Sequence, residues 1–248
     1  MVLTPEELAL AMLILAGAYF VKGVTSFGAA LVSVPLLGLY LPPQLFIPML
    51  ALLNLATNGA LLLRFWRSAD LPVVGWLVLG AAIGTPGGVY LLNVLSPETL
   101  QVVIGIVVVA SVPAIFWIRT LTPQQGVAPR WAIVAGLVSG ICGGAVGIDG
   151  PPVVAYVALT PGSKATRYAT LLAYFFVGAV IRTAGYLPTG LLGSEGALFT
   201  AWMLPAVGVG LLVGTRIYLR LDERSFDRAM AIVLLLTGIA LVARVALG

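Results

Sequence analysis

Long apolar runs, broken by short polar or glycine-rich intervals, fill this chain from end to end. Ten segments can be drawn, at about 6–22, 28–41, 44–64, 71–92, 98–118, 130–146, 149–160, 166–187, 197–216 and 229–247. A helix needs about 20 apolar residues to cross a bilayer, with a range near 17 to 25. Most segments meet that length. The segments 28–41 and 149–160 do not, and each follows a glycine-rich break. Each is expected to be a short helix finished by irregular backbone, or the return arm of a re-entrant hairpin.

Composition turns this pattern into a membrane protein. Of 248 residues, 60% are hydrophobic and 9% charged, and the mean hydropathy is +1.10. Soluble domains carry about 25% charged residues, so a water-facing surface cannot be built from this chain. Glu6 and Glu7 precede the first apolar run, where a secretory signal would be basic, so that run is expected to remain as a span. The net charge of +4 fits basic cytoplasmic loops better than a nucleic-acid partner. The chain has no histidine and one cysteine, Cys142. Catalysis needs a nucleophile and base, paired acids or metal ligands. Little of that is available, so an enzyme, a metal site and a cofactor are not expected. No GxxxxGK[ST] phosphate loop is present, so transport would draw on a gradient.

The charges choose between two ways of counting the spans. If every break reverses direction, Arg64, Arg67, Arg119, Arg130, Lys164, Arg167, Arg216, Arg220, Arg224 and Arg228 share one side. The other side keeps Arg182 and Arg244 with Glu6, Glu7, Glu98 and Glu195. If the short segments merely continue the helices before them, the basic residues divide almost evenly. Because basic residues collect on the cytoplasmic side, the first count is expected, with both termini outside the cytoplasm. Five direction changes per half make the second half an inverted copy of the first. The expected fold is therefore an all-α integral membrane protein of two inverted repeats. Each has about five membrane helices, with glycine-rich broken or re-entrant helices near the midplane. The repeats are drawn at 1–119 and 130–248, joined by a polar linker at 120–129.

Local similarity supports a repeat. Phe27-Gly28-Ala29-Ala30-Leu31-Val32 resembles Asp149-Gly150-Pro151-Pro152-Val153-Val154, and Gly23-Val24-Thr25-Ser26 resembles Gly136-Leu137-Val138-Ser139. Matching interrupted segments in two halves point to the binding site of a secondary transporter. Irregular backbone in a membrane needs partners from protein or a water-filled cavity. The N-termini of the half-helices that follow carry free N–H donors and partial positive charge, which suits an anion. The alternative is that the glycines only allow close helix packing.

These residues resemble a known family. Gly136-Leu137-Val138-Ser139-Gly140, Gly143-Gly144, Gly147 and Gly150-Pro151-Pro152-Val153-Val154 look like the second glycine-rich signature of the TauE/SafE family, the sulfite exporter-like and sulfonate-permease proteins. Gly23, Ser26, Phe27, Gly28 and Val34-Pro35-Leu36 are similar to the first. The resemblance implies transport of sulfite, sulfoacetate or other sulfonates across the bacterial inner membrane. The expected partners are that small anion and membrane lipid, with a homodimer as the assembly to test. At Asp149 the chain departs from the family, where glycine or a small residue is common.

The expected substrate-binding residues are Ser26, Gly28, Asn54, Thr57, Asn58, Ser139, Gly147, Asp149, Gly150 and Arg182. Asp149 is the only acid placed well inside the membrane, where such residues are costly and functional by default. It would couple proton to anion binding, or simply cap the helix starting at Gly150. Arg182 would grip an oxyanion bidentately or reach to the outer interface, the latter slightly favoured. Asn54, Thr57 and Asn58, at i, i+3 and i+4, share one helix face and line a path or bond to neighbouring helices. Lys22 is either deep beside a re-entrant break or an ordinary cytoplasmic flank.

Overall fold

Proline and capping residues set where the helices begin. The computed structural model describes residues 4–25, 27–120 and 127–217, together with 239 and 243. Among them lie nine α-helices and two short 3-10 turns. The helices are α1 (Pro5–Thr25), α2 (Ala29–Gly38), α3 (Pro43–Phe65), α4 (Leu71–Val94), α5 (Pro97–Thr120), α6 (Pro129–Val146), α7 (Gly150–Leu159), α8 (Lys164–Tyr186) and α9 (Ser194–Ile217). Four of them open on proline, which lacks an N–H that the first turn could not use. Asp70 caps α4 by accepting from the Val73 N–H at 3.2 Å, and Ser163 caps α8 by accepting from the Thr166 N–H at 3.1 Å.

The apolar pattern locates these helices to within a few residues. Segment 28–41 loses its last residues because the chain leaves the helix at Leu39 and runs into Pro42-Pro43. The segment at 229–247, the basic residues Arg220, Arg224, Arg228 and Arg244, and most of the linker lie outside the described residues.

Length and apolar character sort eight of the nine described helices into two kinds. Six are long and apolar enough to cross a membrane: α1, α3, α4, α6, α8 and α9. In contrast, α2 and α7 have 10 residues each. At 1.5 Å per residue each reaches about 15 Å, half of a hydrocarbon core about 30 Å thick. Neither can cross alone. Each lies beside the helix before it, α2 against α1 and α7 against α6.

Small residues decide which long helices touch. On α4, Gly80, Gly84 and Gly88 meet the backbone of α6 at Ile133, Leu137 and Ile141. On α6, Gly136, Gly140 and Gly144 meet the backbone of α4 around Leu77, Ala81 and Thr85. Both sets recur every fourth residue, so each forms one continuous stripe. Backbones that approach this closely gain dispersion contacts, which matter most where lipid removes the hydrophobic drive between helices. Helices α1 and α9 repeat the device, with Gly210 and Gly214 on α9 against Ala16 and Phe20. Helix α3 packs along α8, and α8 also meets α4. Large apolar side chains remain on the outside, Leu13 at 71% exposure and Leu63 at 82% among them, as a lipid-facing surface requires.

A side chain at Gly84 has no room, because its Cβ would strike the Leu137 backbone. We expect Gly84→Leu to lower the thermal unfolding midpoint of the purified protein by several degrees or to prevent its accumulation. Gly87→Leu, on the same helix with nothing within 4 Å of an added Cβ, should leave the midpoint within about a degree.

Candidate functional site

The two short helices begin at two turns of the backbone that glycine makes possible. Gly28, before α2, holds φ at 94°, and Gly147, after α6, holds φ at 75°. Both lie in the left-handed region, where a Cβ is strained. The N-cap positions are Gly28 for α2 and Asp149 for α7, and neither makes a side-chain capping bond. At the start of α7, Pro151 and Pro152 carry no N–H, so the donors left without a capping side chain are the first N–H groups of α2 and that of Gly150. The sequence comparison sets Phe27 opposite Asp149, whereas the helix starts set Gly28 there, a shift of one residue.

A cavity lies where these turns meet α1, α3 and α8. From the turns come Phe27, Gly28 and Ala29 on one side and Ile148, Asp149 and Gly150 on the other. Lys22 of α1, Ala30 and Leu31 of α2, Asn54 and Asn58 of α3, and Phe175 and Arg182 of α8 complete the wall. Two half-helix N-termini, two cations, one carboxylate and two amides thus border one space.

The two cations are held differently. Lys22 is 3% exposed and donates to Asn54 Oδ1 at 2.9 Å and to Thr57 Oγ1 at 3.0 Å. Its ammonium also lies 5.1 Å from the centre of the Tyr19 ring, a cation–π distance. All of these partners are neutral. Arg182, 4% exposed, donates from Nη1 to Asp149 Oδ2 as a buried ion pair. Gly143 makes space for that pair, since a Cβ there would meet both Arg182 Nη1 and the Asp149 Cβ.

Hydroxyl groups fix the second turn. Tyr174 donates to Ser139 Oγ at 2.8 Å, and Ser139 donates to the Asp149 carbonyl. Tyr186 donates to the Gly144 carbonyl at 2.8 Å, near the end of α6. These bonds fold the turn back along α6 and tie it to α8. Asn58 Oδ1 is buried with no partner among the described residues.

Of the ten expected site residues, Gly28, Asn54, Asn58, Asp149, Gly150 and Arg182 line the cavity. Thr57 and Ser139 stand one bond behind it, holding Lys22 and the Asp149 backbone. Gly147 faces the apolar side chains of Val34 and Ile47 instead, so its part is the turn. Ser26 lies outside the described residues. Arg182 does not reach to an interface, because Asp149 gives its guanidinium a buried partner. Asp149 does not cap α7, because its carboxylate turns to Arg182. Arg64 is exposed at the end of α3. Lys22, Phe27, Ala29, Ala30, Leu31, Ile148 and Phe175 are the wall residues absent from the expected set, and of these Lys22 alone is charged. The signal for Lys22 was its place six residues before Gly28 and one apolar run away from Asn54 and Thr57.

The family whose model is described as "Sulfite exporter TauE/SafE" matches residues 9–241. No curated protein and no solved structure matches the chain.

Breaking a buried pair by removing one partner costs about 3–5 kcal/mol, since the other charge stays buried alone. Arg182→Met should therefore destabilise the protein strongly in thermal or denaturant unfolding. The double variant Arg182→Met with Asp149→Asn should recover more than half of that loss. A double variant no more stable than Arg182→Met would show that the pair does not carry this energy.

Proposed function

Since this chain belongs to the sulfite exporter TauE/SafE family, a family of multi-pass membrane transporters, we propose that it is a secondary transporter exporting small sulfur-containing anions. Sulfite, sulfoacetate and other sulfonates are the substrate class, and the bacterial inner membrane is the location. The observation that carries this reading is the cavity between the α2 and α7 N-termini, with Lys22 buried there among neutral partners. A buried ammonium without a carboxylate is costly, and an anion from outside would balance it. The N–H groups at the start of α2 and that of Gly150 border the same space and would add donors for such a charge.

We read the two halves as inverted copies that share this site. The helix pairing supports that reading: α1 packs on α9 and α6 on α4, so the first helix of each half packs on the fourth helix of the other. The short helices α2 and α7 are then half-spans whose N-termini meet, with both chain termini outside the cytoplasm. A turn that folds back along α6 supports a re-entrant course for α7. Rocking of one half against the other would expose the site to each side in turn.

In this scheme Asp149 holds Arg182 while the site is empty, and an incoming oxyanion competes for the guanidinium. Coupling to protons would require Asp149 to leave Arg182 and take up a proton. Sulfite efflux measured with and without an imposed pH gradient separates proton coupling from simple exchange. A channel is the alternative, and it would show near-ohmic current without saturation.

In proteoliposomes, saturable efflux of loaded sulfite is expected for the wild type. Lys22→Met should reduce it by at least about tenfold, while Lys22→Arg, which keeps the charge, should retain a larger share. Equal flux for wild type and Lys22→Met would remove the lysine from the site.

A further inference from the structure

The charges around the cavity do more than attract an anion, because one of them repels it. Among the described wall residues the charged groups are Lys22, Arg182 and Asp149. Arg182 and Asp149 are paired, so their formal charges cancel and Lys22 leaves a net single positive charge. Asp149 also occupies the N-cap position of α7, with its carboxylate turned to Arg182. We infer that Asp149 selects the charge of the substrate, so that a singly charged sulfur oxyanion, such as a sulfonate or hydrogensulfite, is taken in preference to a doubly charged one of the same shape. This rests on the anion-site reading above and narrows its substrate class.

The physics depends on charge alone. A carboxylate repels a dianion with twice the energy it exerts on a monoanion at the same place. Attraction by Lys22 doubles too, but the desolvation cost of a buried ion rises faster than its charge. A buried site with one uncompensated positive charge therefore favours a ligand with one negative charge. Sulfoacetate, with both a sulfonate and a carboxylate, becomes a poorer substrate than a simple alkyl sulfonate. The geometry also gives Asp149 this position for a reason other than capping: it makes no capping bond, and Gly143 leaves room for it beside Arg182.

The test uses two tetrahedral probes of nearly equal size, methanesulfonate with one charge and sulfate with two. Affinities are measured by calorimetry on the purified protein at neutral pH, where both ligand charges are fixed. The wild type should bind methanesulfonate at least about tenfold more tightly than sulfate. Asp149→Asn should move that ratio toward sulfate by about tenfold or more. Sulfate binding as tightly as methanesulfonate to the wild type would overturn the inference. So would a ratio that Asp149→Asn leaves unchanged. Should the variant fail to fold, the wild-type ratio decides alone. Binding of neither probe, with sulfite also silent, would instead strike the anion-site reading itself.

Discussion

A peptide N–H or C=O without a partner costs several kcal/mol in a medium that contains no water, and this constraint governs the centre of the molecule. Two helices of 10 residues begin inside the bundle, at Gly28 and Asp149, without capping side chains. Long helices satisfy their own backbone and place few demands on their neighbours. Broken ones must be supported. Here Pro151 and Pro152 remove two N–H groups from the start of α7, polar side chains of α1, α3 and α8 border the space beside both helix starts, and an anion bound in that space would meet the N–H groups that remain. Structure and proposed transport thus follow from one decision, to interrupt the helices at these two turns.

Close packing of the long helices makes that interruption tolerable. The stripe Gly80, Gly84, Gly88 lies against Gly136, Gly140, Gly144, and it brings the α4 and α6 backbones together without side chains between them. Gly210 and Gly214 do the same for α9 on α1. These contacts hold α1 and α6, the two helices that end at the breaks. The hydroxyls of Tyr174, Ser139 and Tyr186 then anchor the second turn, so that Asp149 meets Arg182 rather than the N–H groups of α7. The ion pair adds little net stability in such a setting. Its value lies in fixing which charge faces the cavity and how it balances Lys22.

Much of this was legible in the chain. Apolar run length placed the helices, and the two short runs after glycine clusters marked the breaks, because length and glycine act locally. Six of the cavity's wall residues followed from the glycine breaks, from the polar stripe on one face of α3 and from charges set inside apolar runs. What the sequence could not supply was partnership across helices. Whether Arg182 reaches water or a carboxylate depends on where Asp149 lies, 33 residues away. Lys22 reads as a flank or as a buried cation with equal ease until Asn54 and Thr57, 32 and 35 residues on, are seen to hold it. Gly147 shows the same dependence on partners. A glycine pattern reports the backbone turn, and the faces that turn presents, here Val34 and Ile47, come from elsewhere in the fold.

The central claim is that an anion binds between the N-termini of α2 and α7, and a heavy-atom ligand tests it most directly. Crystals grown with 2-bromoethanesulfonate, a singly charged sulfonate carrying a bromine, would locate the ligand by anomalous scattering. A bromine peak is expected in the cavity, with sulfonate density within hydrogen-bonding distance of Lys22 Nζ, Arg182, the first N–H groups of α2 or the Gly150 N–H. A well-occupied peak elsewhere in the protein, with this cavity empty, would contradict it.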